Sequence, residues 1–316
     1  MSSLLPIYCF APSGKTPDQA VTAQAFELLQ SQDLTVHNVE VVERSHQRFA
    51  GTDQERANEI NDLINITQSL GPFVALAIRG GYGLTRILPQ IDWNHLAQAV
   101  DQGLKIVGHS DITALELALF AKTGRASFAG PMLNADFGKS INDVSAYTLS
   151  SFKKLLQLEP FSVSIEAQQP FLTIDDYAVD GVLWGGNLSM LVSLLGTPYF
   201  PDLSRIQQGI LFIEDVNEHP YRVERMLFQL FYAGILGAQS AILVGDFSNY
   251  KESPIDEGYT LESCLSRIKS ALQGSGAKTQ ILKGLPFGHC NDKLTLPMGT
   301  NVHLKANASQ FSLQTI

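Results

Sequence analysis

The sequence has few cysteines, no excess of positive charge and no apolar run long enough to span a bilayer. Its three cysteines form no C-x-x-C pair, which is typical of a reducing compartment and argues against a disulfide framework. The 22 Lys and Arg residues stand against 31 Asp and Glu residues, a formal net charge of -9, so nucleic acids and anionic membranes would bind against the overall field. We expect a soluble, cytoplasmic protein with no nucleic-acid and no membrane partner.

The usual motifs for a metal or a nucleotide are missing as well. There is no H-E-x-x-H motif. The glycine-rich segment Arg79–Gly83 has neither the G-x-G-x-x-G nor the G-K-[ST] spacing of a phosphate-binding loop. We therefore expect no metal site and no cofactor.

Apolar strand-like runs alternate with amphipathic helical runs in the first half of the chain. Thr52 and Glu55 form a capping-box pattern at one helix start, and Asp92 with Gly103 brackets a shorter helix. Because no Lys or Arg precedes Lys15, the apolar start predicts a strand rather than a signal peptide. The alternation predicts an α/β domain with a doubly wound, mostly parallel sheet, whose ligand site lies at the carboxyl ends of the strands. The predicted strands are Pro6–Ala11, Val36–Val42, Phe73–Ile78 and Lys105–Gly108.

The alternation pauses where Pro160 and Pro170 interrupt it, and we place a domain connection there. We expect an N-terminal α/β domain over residues 1–150, a linker over residues 151–176 and a C-terminal domain over residues 177–316. The chain shows no internal repeat that would relate the two domains.

The C-terminal domain is predicted to be mixed α/β. Gly209–Ile213 is expected to form a buried strand that ends at Glu214 and Asp215, and Tyr221–Ala233 has the apolar spacing of a helix. Later runs look extended, and the last two are expected to pair around a short turn. These runs are Ala241–Val244, Ile281–Leu285, Asn301–Leu304 and Phe311–Gln314.

One serine stands where the fourth predicted strand ends and a helix follows, within Ile106–Leu115. A serine at such a turn exposes its hydroxyl at the edge of the sheet. The following backbone N–H groups point toward a developing negative charge, which suits acyl transfer. The alternative is that Ser110 or Asp111 caps the helix, as such residues commonly do. The turn alone leaves both interpretations open.

A serine nucleophile needs a base and a group that orients the base. Of the seven histidines, His289 is the strongest candidate, because it stands in a glycine-containing loop after a strand. His109 is expected to diverge from Ser110, since adjacent residues of an extended strand face opposite sides, and His219 is interpreted as structural. Glu214 ends a buried strand, which makes it a candidate to bind the imidazole N–H. Spacing alone does not assemble these residues into a triad.

Seven segments distributed along the chain carry a more specific pattern. They are Ala11–Gly14, Phe49–Thr52, Arg79–Gly83, Gly108–Ala114, Leu183–Leu188, Glu214–Tyr221 and Leu296–Gly299. In these segments the chain resembles the LD-carboxypeptidases, the muramoyl-tetrapeptide carboxypeptidase family of serine peptidases. The resemblance implies a triad of Ser110, His289 and Glu214, with the nucleophile on the N-terminal domain, the other two on the C-terminal domain and the active site between them. It overturns the capping interpretation of Ser110.

The resemblance also implies the chemistry. The oxyanion donors are expected to be the N–H groups of Asp111 and Gly81, and no cofactor takes part. The implied substrate is the murein tetrapeptide of peptidoglycan recycling, from which the enzyme releases the terminal D-alanine. The family further implies a homodimer.

The substrate carboxylate requires a local positive or N–H-rich pocket, because the net charge offers no general attraction. Arg79, Tyr82, Trp184 and Asn187 are the predicted substrate-binding residues, although a buried tryptophan is as often plain core. Further candidates for the carboxylate are Arg86, Arg222 and Arg225, for which surface ion pairs are the alternative.

Two other functions stay open at the level of sequence. A relative with the same triad would cleave a peptidyl-nucleotide antibiotic, as microcin-immunity peptidases of this superfamily do. A ligand-binding module would use Ser110 only as a hydrogen-bonding group.

Overall fold

The computed structural model describes residues 4–166, 176–251 and 254–316. The strands of these residues are numbered β1 to β13 in chain order. They are Ile7–Phe10, Val36–His37, Val74–Ala77, Lys105–Gly108, Ser127–Ala129, Ser162–Glu166, Tyr177–Asn187, Ile210–Val216, Ala241–Ser248, Gln280–Lys283, Leu296–Met298, Thr300–Ala306 and Gln310–Thr315.

The α-helices of the same residues are numbered α1 to α10. They are Gln19–Ser31, Asp53–Leu70, Leu84–Ile87, Trp93–Asp101, Thr113–Thr123, Ala146–Leu156, Leu188–Leu194, Leu203–Ile206, Pro220–Tyr232 and Leu261–Gly274. None of these helices combines the length and the apolar character that a membrane span requires.

Local signals determine where several helices start. The capping box predicted before α2 is present, with the Thr52 side chain accepting from the Glu55 N–H and the Glu55 carboxylate accepting from the Thr52 N–H. The Asp92 carboxylate accepts two N–H groups at the start of α4. Both predictions are confirmed because a cap is formed by neighbours in the chain.

One sheet belongs to a compact unit of residues 4–159, Thr197–Phe200 and Asn291–Met298. Its strand order is β11-β5-β4-β3-β1-β2. All neighbouring pairs are parallel except the one between β11 and β5. Helices follow the strands as βαβ units require, so the predicted doubly wound, mostly parallel domain is confirmed.

The second predicted strand is too long. Only Val36 and His37 pair with β1, and Val39–Glu43 is a 3₁₀ helix. Asn38 ends the strand, because its φ of 58° lies in the left-handed region and its side-chain amide donates to the Cys9 carbonyl at 2.7 Å. At this point an asparagine side chain, rather than backbone, makes the hydrogen bond to the neighbouring strand.

The other sheet belongs to a second unit, formed by the described parts of Pro160–Gly196, Pro201–Cys290 and Gly299–Ile316. Its strand order is β10-β9-β8-β7-β12-β13-β6, with β7 to β10 parallel to one another and the remaining pairs antiparallel. The predicted pairing of the last two strands is confirmed. This unit is mixed α/β, as expected.

The segment predicted as a linker, residues 151–176, contains regular structure. It includes the end of α6 and the whole of β6. Residues 167–175 of the linker, with Pro170, lie outside the described residues.

Candidate active site

The turn after β4 holds Ser110 in a strained backbone conformation. Its φ is 61°, in the left-handed region that residues other than glycine rarely adopt. A 3₁₀ turn, Ser110–Ile112, follows and leads into α5. Such strain persists only where the surroundings hold it, and it is typical of a nucleophile at a sharp strand-to-helix turn.

Capping does not explain these residues. Neither the 3₁₀ turn nor α5 has a side-chain hydrogen bond at its start. The Asp111 carboxylate instead accepts from the Leu84 N–H, at the start of a different helix. The structure therefore gives Ser110 no capping role.

The loop after β3 lies against Ser110. A Cβ atom placed on Gly80 would stand 2.9 Å from Ser110 Cβ, 3.0 Å from Ser110 Oγ and 3.1 Å from the Asp111 nitrogen. The next residue, Gly81, has a φ of 112°. Only glycine permits this approach, so the sequence Arg79–Gly83 brings glycine backbone next to the serine.

Arg79 and Tyr82 flank the same loop. The Arg79 guanidinium donates to the Lys15 carbonyl at 3.1 Å and forms no ion pair with a described residue. Burial lowers the pKa of Arg79, and the nearby charge of Arg48 lowers it further. Tyr82 is 43% exposed and lies beneath Arg48, whose guanidinium carbon is 5.7 Å from the ring centre. Both predicted binding residues therefore lie on the glycine loop that contacts Ser110.

In the second unit, the structure brings together Glu214 and His289. Glu214 is fully buried, and its Oε2 lies 2.8 Å from His289 Nδ1. The carboxylate was predicted to end its strand, but it lies inside β8, which continues to Val216. A strand with neighbours on both sides holds the carboxylate rigidly.

A glycine makes the contact between the histidine loop and β8 possible. Gly288 has a φ of 127°, and a Cβ there would stand 2.9 Å from Glu214 Cβ and 3.0 Å from Asp246 Cβ. The preceding Phe287 is buried and packs edge-on against Phe212, with ring centres 5.3 Å apart. The loop is therefore anchored on one side of His289 by an apolar side chain and a close backbone contact.

The structure does not support Trp184 and Asn187 as substrate contacts. Trp184 is fully buried, and its indole N–H donates to Gln239 Oε1 at 2.9 Å. Asn187 is 5% exposed and caps α7 by accepting from the Met190 N–H. Both residues act within the fold, which corrects the prediction in favour of the core alternative that the tryptophan left open.

The remaining candidates lie in structural roles. His109 is buried, with Nδ1 2.9 Å from the Gly130 carbonyl and Nε2 3.1 Å from Lys293 Nζ. Arg86 pairs with Asp53 at 2.8 Å on the surface. Arg222 Nη1 lies 3.7 Å from Glu218 Oε2, on a residue just before α9. Neither arginine is placed as a carboxylate-binding group by these contacts.

Two residues near the serine were missed by the sequence analysis, Arg56 and Ser13. Both are fully buried, and both contact the loops around Ser110. A signal for Arg56 was present, because it stands at the same helical face as Ile60 and Leu63. A charged side chain at an apolar position indicates a buried partner.

In the described residues, His, Cys, Asp and Glu side chains form no group of three that would hold a metal ion.

Comparisons with known proteins cover most of the chain. Residues 7–130 match the family model of the LD-carboxypeptidase N-terminal domain, and residues 180–304 match that of the LD-carboxypeptidase C-terminal domain. A probable murein peptide carboxypeptidase of Bacillus subtilis is 33% identical over 284 residues, which are 90% of this chain and 83% of the relative.

A solved structure extends the likeness to the whole fold. The crystal structure of a muramoyltetrapeptide carboxypeptidase from Oxalobacter formigenes is 41% identical, with a TM-score of 0.85 and 98% of each chain covered. The microcin C7 self-immunity protein of Escherichia coli is 25% identical over 295 residues, covering 84% of this chain and 79% of that protein.

Proposed function

The chain belongs to the LD-carboxypeptidase family and is a serine-type carboxypeptidase, and from this premise we propose that it releases the terminal D-alanine of murein tetrapeptides through Ser110, His289 and Glu214. The observation that carries the proposal is the left-handed backbone of Ser110 at the end of β4, with glycine backbone packed against its side chain. A strained serine in this setting is what a nucleophile needs.

The choice of substrate rests on the relatives. The two proteins named for murein or muramoyltetrapeptide cleavage are 33% and 41% identical to this chain, whereas the microcin self-immunity protein is 25% identical. We propose peptidoglycan recycling in the cytoplasm as the setting, which accords with three cysteines and no C-x-x-C pair.

The His–Glu pair defines the proton chemistry. With Nδ1–H donated to the buried Glu214 carboxylate, the neutral imidazole of His289 carries its lone pair on Nε2. Nε2 takes the proton of Ser110 Oγ as the oxygen attacks the carbonyl before D-alanine. Glu214 fixes the tautomer and stabilises the imidazolium that forms.

The tetrahedral intermediate carries a negative oxygen. We assign its donors to the N–H groups of Asp111 and Gly81, which the turn and the glycine loop supply without a side chain in the way. Collapse breaks the C–N bond, and His289 gives its proton to the departing amine of D-alanine. Water then attacks the Ser110 ester and gives a proton to His289; the second tetrahedral intermediate collapses, the bond from the acyl carbon to Ser110 Oγ breaks, and His289 returns the proton to Ser110.

Arg79 is the proposed anchor of the substrate's terminal carboxylate. Its guanidinium has no acidic partner in the described part of the chain, and it borders the loop that contacts Ser110. A planar guanidinium binds a carboxylate through two parallel hydrogen bonds. A carboxypeptidase needs such a group, because recognition of the free carboxylate separates it from an endopeptidase.

The first experiment follows D-alanine release from L-Ala-γ-D-Glu-meso-diaminopimelate-D-Ala by mass spectrometry, with the wild type and a Ser110→Ala variant. Release by the wild type alone is expected. No release by either folded protein would overturn the murein substrate.

A fluorophosphonate probe separates the remaining alternatives, because covalent labelling requires an activated hydroxyl. Labelling of Ser110 without D-alanine release would favour cleavage of a peptidyl-nucleotide such as a microcin. Absence of labelling would favour a ligand-binding module.

We also propose a homodimer. Helix α9 carries an aromatic cluster, Phe228, Phe231 and Tyr232, with ring centres of Phe228 and Tyr232 5.6 Å apart and Tyr232 78% exposed. Aromatic side chains are enriched in protein interfaces. Light scattering after gel filtration should give twice the chain mass for the wild type, and a monomer for Tyr232→Glu if the cluster forms the interface.

A further inference from the structure

Two buried side chains of opposite charge lie beneath the loops around Ser110, and neither belongs to the proposed triad. Arg56 on α2 is fully buried, and Asp111, which follows the serine, is 2% exposed. Burying charges is costly unless each finds hydrogen-bonding partners. Their partners are therefore informative about why the chain keeps them there.

Both charges bind the same peptide unit. Arg56 Nη1 donates to the Gly83 carbonyl at 3.0 Å, and the Leu84 N–H donates to Asp111 Oδ2 at 3.1 Å. The carbonyl and the N–H of one peptide bond are thus held by groups of opposite charge. This peptide bond ends the glycine loop that contacts Ser110, and a Cβ on Gly83 would stand 2.8 Å from Arg56 Nη1.

The same two side chains hold the loop after β1. Arg56 Nη1 also donates to the Pro12 carbonyl at 2.8 Å, and Ser13 Oγ donates to Asp111 Oδ2 at 2.5 Å. The Gly14 N–H then donates to the Gly80 carbonyl at 3.1 Å. The two loops are consequently tied to each other and to the turn that carries the serine.

Neighbouring side chains and backbone groups partly balance the buried charges of Arg56 and Asp111. Arg56 also pairs with Asp53 at 2.5 Å. Burial raises the pKa of the Asp111 carboxyl, and the hydrogen bonds from Ser13 and Leu84 together with the charge of Arg56 act in the opposite direction. Asp111 accepts at Oδ2 from two donors, so the arrangement requires an acceptor oxygen at that position.

We propose that Arg56, Asp111 and Ser13 are positioning residues that hold the glycine loop 80–83 against Ser110, so that the N–H groups of Gly81 and Asp111 aim at the oxyanion. We refer to these three side chains as the loop clamp. The inference rests on the proposed serine chemistry, but not on the identity of the peptide substrate. It gives the Ala11–Gly14 motif a role in catalysis, which the triad does not.

The test removes one hydroxyl. Ser13→Ala deletes a donor to Asp111 without adding volume, and Ser13→Thr restores the hydroxyl. The measured quantity is the second-order rate constant for labelling of Ser110 by a fluorophosphonate, whose phosphoryl oxygen needs the same donors as the oxyanion. We expect about a tenfold decrease for Ser13→Ala and recovery to within about threefold of wild type for Ser13→Thr.

Ser145→Ala is the matched control. Ser145 donates to Asp292 Oδ1 at 2.6 Å and accepts from the first turn of α6, so its removal breaks a similar Ser–Asp bond in the same unit. We expect a similar fall in melting temperature for the two alanine variants, but a slower labelling rate only for Ser13→Ala. With the tetrapeptide, Ser13→Ala should lower kcat and change KM by less than about twofold.

The outcomes are distinct. Equal labelling rates for Ser13→Ala and wild type would overturn the loop clamp, as would equal slowing by Ser145→Ala. Labelling of wild-type Ser110 without D-alanine release would reject the murein substrate and leave the test of the loop clamp valid. A wild type that the probe does not label would overturn both proposals.

Discussion

The two units hold their candidate residues by different means. Ser110 depends on backbone: a left-handed φ, close glycine contacts and loops held by buried charges. His289 is held by a side-chain hydrogen bond to a carboxylate inside a central strand and by the packing of Phe287 and Gly288 before it. The nucleophile is therefore open to perturbation from several loops, whereas loss of Glu214 is expected to disturb the base directly.

Loss of the Glu214 carboxylate, which binds His289, is expected to have the largest effect on kcat. Glu214→Gln presents an amide to His289 and favours the wrong tautomer, so kcat for D-alanine release should fall about 10³-fold to 10⁴-fold with little change in KM. Asp215→Asn is the control, because Asp215 accepts from Ser189 and Asn187 instead. Asp215→Asn should lower the free energy of unfolding in urea by about 1–2 kcal/mol and should lower kcat much less than Glu214→Gln does. Equal loss of kcat in both variants would contradict the assignment of Glu214.

Gly80→Ala tests the backbone contacts that hold Ser110. Its new Cβ would stand 2.9 Å from Ser110 Cβ, so the loop must shift and kcat should fall about 10²-fold. Gly274→Ala is the control, since a Cβ there meets nothing within 4 Å. Normal kcat in Gly80→Ala would show that the loop moves freely and that the contrast between the two units is wrong.

Arg79→Met tests the carboxylate anchor on the glycine loop. We expect KM for the tetrapeptide to rise about tenfold, with kcat changed much less, because one charge-assisted contact in the ground state is lost. The same peptide with an amidated C-terminus lacks the carboxylate, so it should bind the wild type and Arg79→Met with similar affinity. Arg86→Met, which removes the surface pair with Asp53 and the contact with the Phe49 ring, should leave KM unchanged. A tenfold effect from Arg86→Met would shift the anchor to that residue.

The last prediction concerns the stability of the fold rather than catalysis, and it involves a second buried carboxylate. Glu116 on α5 is fully buried like Glu214, but both of its oxygens have no hydrogen-bond partner in the described part of the chain. Burial raises the pKa of Glu116 well above its ordinary value of 4.5. Below pH 4.5 the Glu116 carboxyl is protonated in both the folded and the unfolded state. Its burial then makes no pH-dependent contribution to the free energy of unfolding.

As the pH rises above 4.5, only the unfolded state ionises, so stability falls by at most about 1.4 kcal/mol per pH unit until the folded-state pKa is reached. Glu116→Gln removes the ionisable carboxyl and therefore this fall in stability with rising pH. Urea unfolding at pH 5 and at pH 8 should show its free energy of unfolding rising relative to wild type as the pH increases. Glu27→Gln, at an exposed position on α1, should track the wild type. A constant difference between Glu116→Gln and wild type at the two pH values would show that Glu116 ionises in the folded protein.

Patterns between near neighbours in the chain determined much of the fold. The α/β alternation, the capping box at Thr52 and the final hairpin were all predicted, because periodicity, caps and short turns depend on residues a few positions apart. The length of the strand after α1 was predicted wrongly, because the Asn38 side chain donates to the Cys9 carbonyl of the neighbouring strand in place of the backbone ladder. The positions of Ser110, His289 and Glu214 were readable as motifs, and their roles stay predictions.

Only the tertiary structure decided what surrounds those residues. Trp184 stands in a glycine-rich motif that suits either a binding platform or a core, and burial on β7 decides for the core. The contact between Ser13 and Asp111 joins residues 98 positions apart. No local pattern specifies such a pair, because its free energy comes from desolvation and geometry that exist only once the loops have packed.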